Sequence, residues 1–140
     1  MTGAHPAPTP VEVLDLARAF TSKGEVAAAL ALLDAALGQV RLAEPATAEL
    51  ARQTGWLQLE RASLLLRVGD LAGADAGAIA ALKSLERAGD RGGQATVSVT
   101  LGDLNWQGGH AHRAVTWWQR GRALAEGVGN SAIAARALAA

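Results

Sequence analysis

The sequence predicts an all-α fold, and three observations carry that expectation. Alanine and leucine dominate the chain, and both are strong helix formers. Tyrosine is absent and β-branched residues are sparse, which argues against a sheet. Glycine-marked breaks recur between segments whose apolar residues have helical spacing. A chain of 140 residues fits one domain. A hydrophobic content of 50% is too high for disorder throughout.

The elements follow in order. Residues 1–8 are small, polar or proline and read as a flexible tail. Thr9-Pro10-Val11-Glu12 carries a cap, a first-turn proline and the acid of a capping box. Val13, Leu16, Ala17 and Phe20 continue with helical spacing until Gly24. A second helix is expected from about Glu25 to Arg41, broken by Glu44-Pro45. The third runs from about Ala46 to Val68, with Gly55 as a weak point or kink. Gly69-Asp70 is a turn, and a fourth helix spans about Leu71 to Arg87. Residues 89–93, Gly-Asp-Arg-Gly-Gly, read as a loop. A fifth helix then covers about Gln94 to Gln107, and a sixth about His110 to Glu126. Asn130 or Ser131 can cap a short seventh helix.

The chain also repeats itself. Aligned on Gly24, Gly69 and Gly109, each unit has an alanine five residues later: Ala29, Ala74 and Ala114. Seven residues before each glycine stands Ala17, Ala62 or Gly102, and twelve after stands Ala36, Ala81 or Gly121. Small residues at fixed offsets let paired helices approach closely. The pattern resembles the tetratricopeptide repeat in its longer-period bacterial form, over roughly residues 10–128. The glycine spacings are 45 and 40 residues, against about 34 in the standard repeat. Arg61, Asn105 and Arg41 depart from that pattern. The resemblance implies a right-handed helical-hairpin solenoid: three repeats over residues 9–128 and a C-terminal capping helix over 129–140. The alternative is an unrelated alanine-rich helical bundle.

Composition narrows the function. Lysine plus arginine and aspartate plus glutamate number 13 each, and no basic stripe marks a nucleic-acid binder. Cysteine is absent, so disulfides, thiolate metal sites and cysteine nucleophiles fall away together. No signal peptide or membrane-length apolar run is visible, and a soluble, cytoplasmic protein is expected. The heavy use of alanine, glycine and arginine suggests a high-GC bacterial genome. His110 and His112, two apart, do not share a helix face, and only Asp103 offers a further ligand. No phosphate loop or nucleophile elbow is present. Neither an enzyme nor a cofactor or metal is expected.

In the resembled family, partners lie in a concave groove lined by the first helix of each pair. Carried over by offset, the groove would hold Leu14, Arg18 and Ser22 from the first unit. The second would supply Trp56, Leu59, Ser63 and Arg67. The third would supply Val99, Asp103, Trp106 and Gln107. Tryptophan and arginine are frequent interface anchors. The same repeat alignment puts Trp118 in the core and leaves Trp117 partly exposed or packed against the last helix. The expected function is a protein- or peptide-binding module acting through this groove. The alternatives are a ligand- or peptide-sensing regulatory domain, with a pocket around Trp56 and Trp106, and a self-associating protein that dimerises through its apolar C-terminal helix.

Overall fold

The computed structural model describes residues 8–42 and 47–128. Within them the chain forms α1 (Pro10–Ser22), α2 (Val26–Leu42), α3 (Ala48–Arg67), α4 (Leu71–Ala88), α5 (Arg91–Gln107) and α6 (Ala111–Gly127). No strand occurs among the described residues, so the fold is all-α. The expected tail up to Ala7, the Glu44-Pro45 break and the helix over 129–140 lie outside the described residues.

Local chemistry sets most boundaries. At α1 the capping box forms: Glu12 N–H donates to Thr9 Oγ1 at 3.2 Å, and Thr9 N–H donates to Glu12 Oε1 at 3.3 Å. Thr47 caps α3 by accepting from Leu50 N–H at 3.0 Å. Asp70 and Asp90 cap α4 and α5, accepting from Gly73 and Gly93 N–H at 2.9 and 2.8 Å.

Four helices end in one way. Glu25, Asp70, Asp90 and His110 N–H reach back to the carbonyls of Phe20, Leu65, Leu85 and Asn105 at 2.8–2.9 Å. The glycine before each reaching residue has positive φ, between 71° and 87°. This is the Schellman arrangement, which needs a left-handed residue after the helix. Three of these glycines are those on which the repeat aligns. The small residues at the repeat offsets are buried: Ala17, Ala62, Ala29, Ala74, Ala114 and Ala81 have no exposed surface. Gly102 and Gly121 are buried too, and Ala36 is half-buried.

Each helix packs on the next, as in a series of hairpins, and α3 also touches α1 and α5. One part of the core joins Val13, Ala17, Ala29, Leu33, Leu57 and Leu64 across α1, α2 and α3. A second joins Leu59 and Ala62 of α3 to Ala81, Leu85, Val97 and Leu101 of α4 and α5. Ion pairs Arg18–Glu60 (3.0 Å), Arg61–Asp34 (2.5 Å) and Arg120–Glu86 (3.3 Å) link α1 to α3, α2 to α3 and α4 to α6.

Two glycine expectations change. Residues 91–93 are helix, not loop. Asp90 captures the Gly93 N–H, and a Cβ on Gly93 would stand 2.9 Å from Leu85 Cδ2. Gly55 lies inside an unbroken α3. It admits the Leu85 side chain, since a Cβ there would come within 2.5 Å of Leu85 Cγ. Close packing, not a kink, places glycine at that position.

Candidate functional site

The outer surfaces of α1 and α3 meet in a recess of about 280 Å³ lined by Pro10, Val11, Leu14, Arg18, Arg52, Gln53 and Trp56. Helical periodicity assembles it: Val11, Leu14 and Arg18 succeed one another by three and four residues, as do Arg52 or Gln53 and Trp56. Val11 is 53% exposed and supplies an apolar lip. Leu14 and Trp56 are half-buried, each packed at its base on the core.

Polar contacts hold the walls in place. Trp56 Nε1 donates to Asp90 Oδ2 at 2.9 Å, while Oδ1 of the same carboxylate accepts from Gly93 N–H. One aspartate thus starts α5 and orients an indole of α3. Arg18 Nε donates to Glu60 Oε1 at 3.0 Å. Arg52 makes two bonds to Glu49, the Nε one at 3.0 Å, and Gln53 Nε2 adds another at 3.0 Å. The hydrogen bond from Arg52 holds the Glu49 carboxyl below its ordinary value, and Glu49 in turn raises the Arg52 guanidinium. The recess therefore has an apolar floor between two guanidiniums, each tied to a carboxylate on one side.

Leu14, Arg18 and Trp56, all expected in the groove, are brought together here. Ser63 and Arg67 are exposed and continue the Trp56 side of α3 at seven and eleven residues. Ser22 is exposed at the end of α1, its hydroxyl donating to the Arg18 carbonyl at 3.0 Å. Leu59 is a correction: only 4% exposed, it belongs to the core shared with α4 and α5. Two residues after Leu57, it turns to the opposite flank of α3, where α4 and α5 cover it.

The third-unit residues gather elsewhere. Trp106 lies against Trp118 of α6, with ring centroids 5.9 Å apart and ring planes tilted by 38°. Trp118 Nε1 donates to Asp103 Oδ1 at 3.1 Å. A Cβ on Gly121 of α6 would stand 3.2 Å from Val99 Cγ2. Val99, Asp103 and Trp106 therefore lie beside α6, while Gln107 is exposed at the end of α5. Trp56 touches the first residue before α5 and Trp106 lies in its last turn, about 24 Å along the helix at 1.5 Å per residue. The two indoles do not share a pocket. Trp118 is half-buried over Gly102 and is not a core residue, because the missing Cβ leaves the indole a seat at the edge of the α5–α6 contact. Trp117 instead packs on the core.

Sequence reasoning missed Val11, Arg52, Gln53 and Asp90. The first three were visible as the turn-neighbours of Leu14 and Trp56. Asp90 had a weaker signal: Gly89-Asp90 repeats the Gly69-Asp70 turn, each with a glycine three residues on. His110 and His112 are exposed, and among the described residues no three of His, Asp and Glu gather as a metal site. No described helix is long and apolar enough to cross a membrane. No family model matches the chain, and no curated protein matches it.

Proposed function

We propose that the chain is a protein-interaction module, a solenoid of three tetratricopeptide-like helix pairs that takes a peptide segment of a partner protein along α1 and α3. The observation that carries this reading is the recess between Val11, Leu14, Arg18, Arg52 and Trp56. Its apolar floor suits one apolar side chain, and its two guanidiniums suit a flanking carboxylate. The repeated Schellman turns and the buried small residues at equal offsets support the repeat. The zero formal charge favours a protein partner over nucleic acid. The lack of cysteine suits a cytoplasmic setting.

Peptide-library display against the natural chain, with counter-selection on Val11→Asp/Leu14→Gln, tests the proposal. Peptides that bind the natural chain and bind the variant at least about tenfold more weakly (1.4 kcal/mol) are the expected result. Circular dichroism confirms that the variant is folded. Selected peptides that bind both chains equally would place binding on another face, and failure to enrich any peptide would remove the adaptor reading.

A further inference from the structure

The α5–α6 hairpin carries an exposed apolar face. Trp106 is 59% exposed, and Val99 and Val115 are each 44% exposed. The half-buried Trp118 joins them, its ring 5.9 Å from that of Trp106 and its Nε1 donating to Asp103 Oδ1. Repeat position explains the exposure. Val99 and Trp106 stand ten and three residues before Gly109, and Val115 and Trp118 stand six and nine after it. In the first hairpin the same offsets from Gly24 fall on Leu14, Thr21, Leu30 and Leu33. The three leucines pack with Leu57 and Leu64 of α3. In the second hairpin the outermost of these offsets fall on Leu59 and Ala78, which are buried with Val97 and Leu101 of α5. At each inner junction, then, the first helix of the following hairpin covers this face. On α5–α6 no described helix covers it. A contiguous patch of two tryptophans and two valines marks a contact surface, and tryptophans are frequent anchors of such surfaces.

We propose, from the repeat alone and without the α1–α3 recess, that this face docks an amphipathic α-helix of another protein. That helix takes the place α3 has on α1–α2 and α5 has on α3–α4. The inner junctions define what it presents. Twelve and five residues before their glycines, α3 buries Leu57 and Leu64, and α5 buries Val97 and Leu104. Between its pair α5 adds Leu101, also buried. Nine residues before its glycine α3 carries Glu60, which accepts from Arg18 at 3.0 Å. Arg18 stands six residues before Gly24, and the residue six before Gly109 is Asp103. The sign at this position is reversed, so the docking helix carries a lysine or arginine where α3 carries Glu60. Its pattern is aliphatic at i, i+4 and i+7 and basic at i+3, all on one flank. Trp118 engages one oxygen of Asp103, and the other accepts no bond among the described residues. The same comparison disfavours a second copy stacked end to end. At the offsets twelve, nine and five before Gly24, α1 offers Glu12, Asp15 and Ala19. Asp15 would face Asp103, and Glu12 would stand where Leu57 and Val97 are buried, although it is engaged in the capping box of α1.

The test is fluorescence anisotropy of a labelled, stapled helical peptide titrated with the full chain. The probe carries leucine at i, i+4 and i+7 and lysine at i+3, and its control carries glutamate at i+3. The expected result is saturable binding of the lysine probe, with the glutamate control weaker by at least about tenfold. Asp103→Lys is expected to reverse that order. Trp106→Gln/Val115→Gln, confirmed as folded by circular dichroism, is expected to bind neither peptide. Val11→Asp/Leu14→Gln alters the α1–α3 recess and is expected to bind the lysine probe as the natural chain does, so the two sites fail separately. A natural chain that binds neither peptide would overturn the proposal, as would equal binding of the two or an Asp103→Lys chain that keeps the natural order. Binding lost only in Val11→Asp/Leu14→Gln would overturn it in favour of the recess. Sedimentation showing a dimer that Trp106→Gln/Val115→Gln dissolves would overturn it too, and would assign the face to a second copy.

Discussion

Replacing Gly55 by alanine sets two effects of similar size against each other. Alanine improves an interior helix position by about 1 kcal/mol. Against this, the new methyl would stand 2.5 Å from Leu85 Cγ, 2.8 Å from its Cδ2 and 3.3 Å from the Ala81 carbonyl oxygen. Leu85 has no exposed surface, and its Cδ2 already lies 2.9 Å from where a Cβ on Gly93 would stand. The obstructed atom is the branch point of the side chain, so Leu85 has to change rotamer or α4 has to move. Overpacking of this kind costs about 1–3 kcal/mol. The net expectation for Gly55→Ala is a loss of about 1 kcal/mol, or about 2–4 °C in Tm. Urea unfolding followed by far-UV circular dichroism measures it, with an unchanged m-value as control. The companion Leu85→Ala removes a buried leucine and is expected to cost about 2–5 kcal/mol. In the double variant the added methyl occupies part of the vacated space. Its loss should therefore fall short of the summed singles by about 1 kcal/mol. A Gly55→Ala chain that is more stable than the natural one would refute the reasoning. So would singles that add within about 0.5 kcal/mol.

Three further outcomes are expected. Asp90→Ala removes the α5 cap and the Trp56 partner together, a loss of about 2 kcal/mol; Asp90→Asn should retain most of the cap, which chemical denaturation of the pair will show. Gly24 has φ +79° and no atom within 4 Å of an added Cβ, so Gly24→Ala should cost about 1–2 kcal/mol from backbone conformation alone, and Gly24→Asn less; equal losses in a thermal melt would contradict this. The Glu49 carboxyl titrates below its ordinary value because Arg52 bonds to its ionised form. That contribution is present above the unfolded pKa and fades as pH falls through the folded one, and it is small because the pair is solvent-exposed. A carboxyl-carbon NMR titration should show the Glu49 midpoint rising in Arg52→Gln.

Much of the helical framework was legible because its signals are local. The capping box at Thr9 and the Schellman turns each involve residues no more than five apart. The Gly-Asp-Arg-Gly-Gly stretch misled for the same reason: composition marks it as a loop, while the carboxylate of Asp90 and the packing of Leu85 draw Gly92 and Gly93 into α5. Of the groove residues, Leu14, Arg18 and Trp56 were placed together by offset alone. The offset failed for Leu59, which α4 and α5 cover, since a position in a repeat does not state which neighbour covers it.

The sequence by itself determined an all-α chain, the position of each glycine turn and the small residues on which helices close. Those features depend on backbone preference and on side chains within a turn or two of one another. Tertiary structure alone decided that Gly55 is a packing contact, that Asp90 joins Trp56 to α5, and that Trp106 belongs with Trp118. The Arg18–Glu60 and Trp56–Asp90 contacts join residues 42 and 34 positions apart. No local pattern encodes such contacts, because the flank of a helix that is covered depends on how neighbouring helices settle against it.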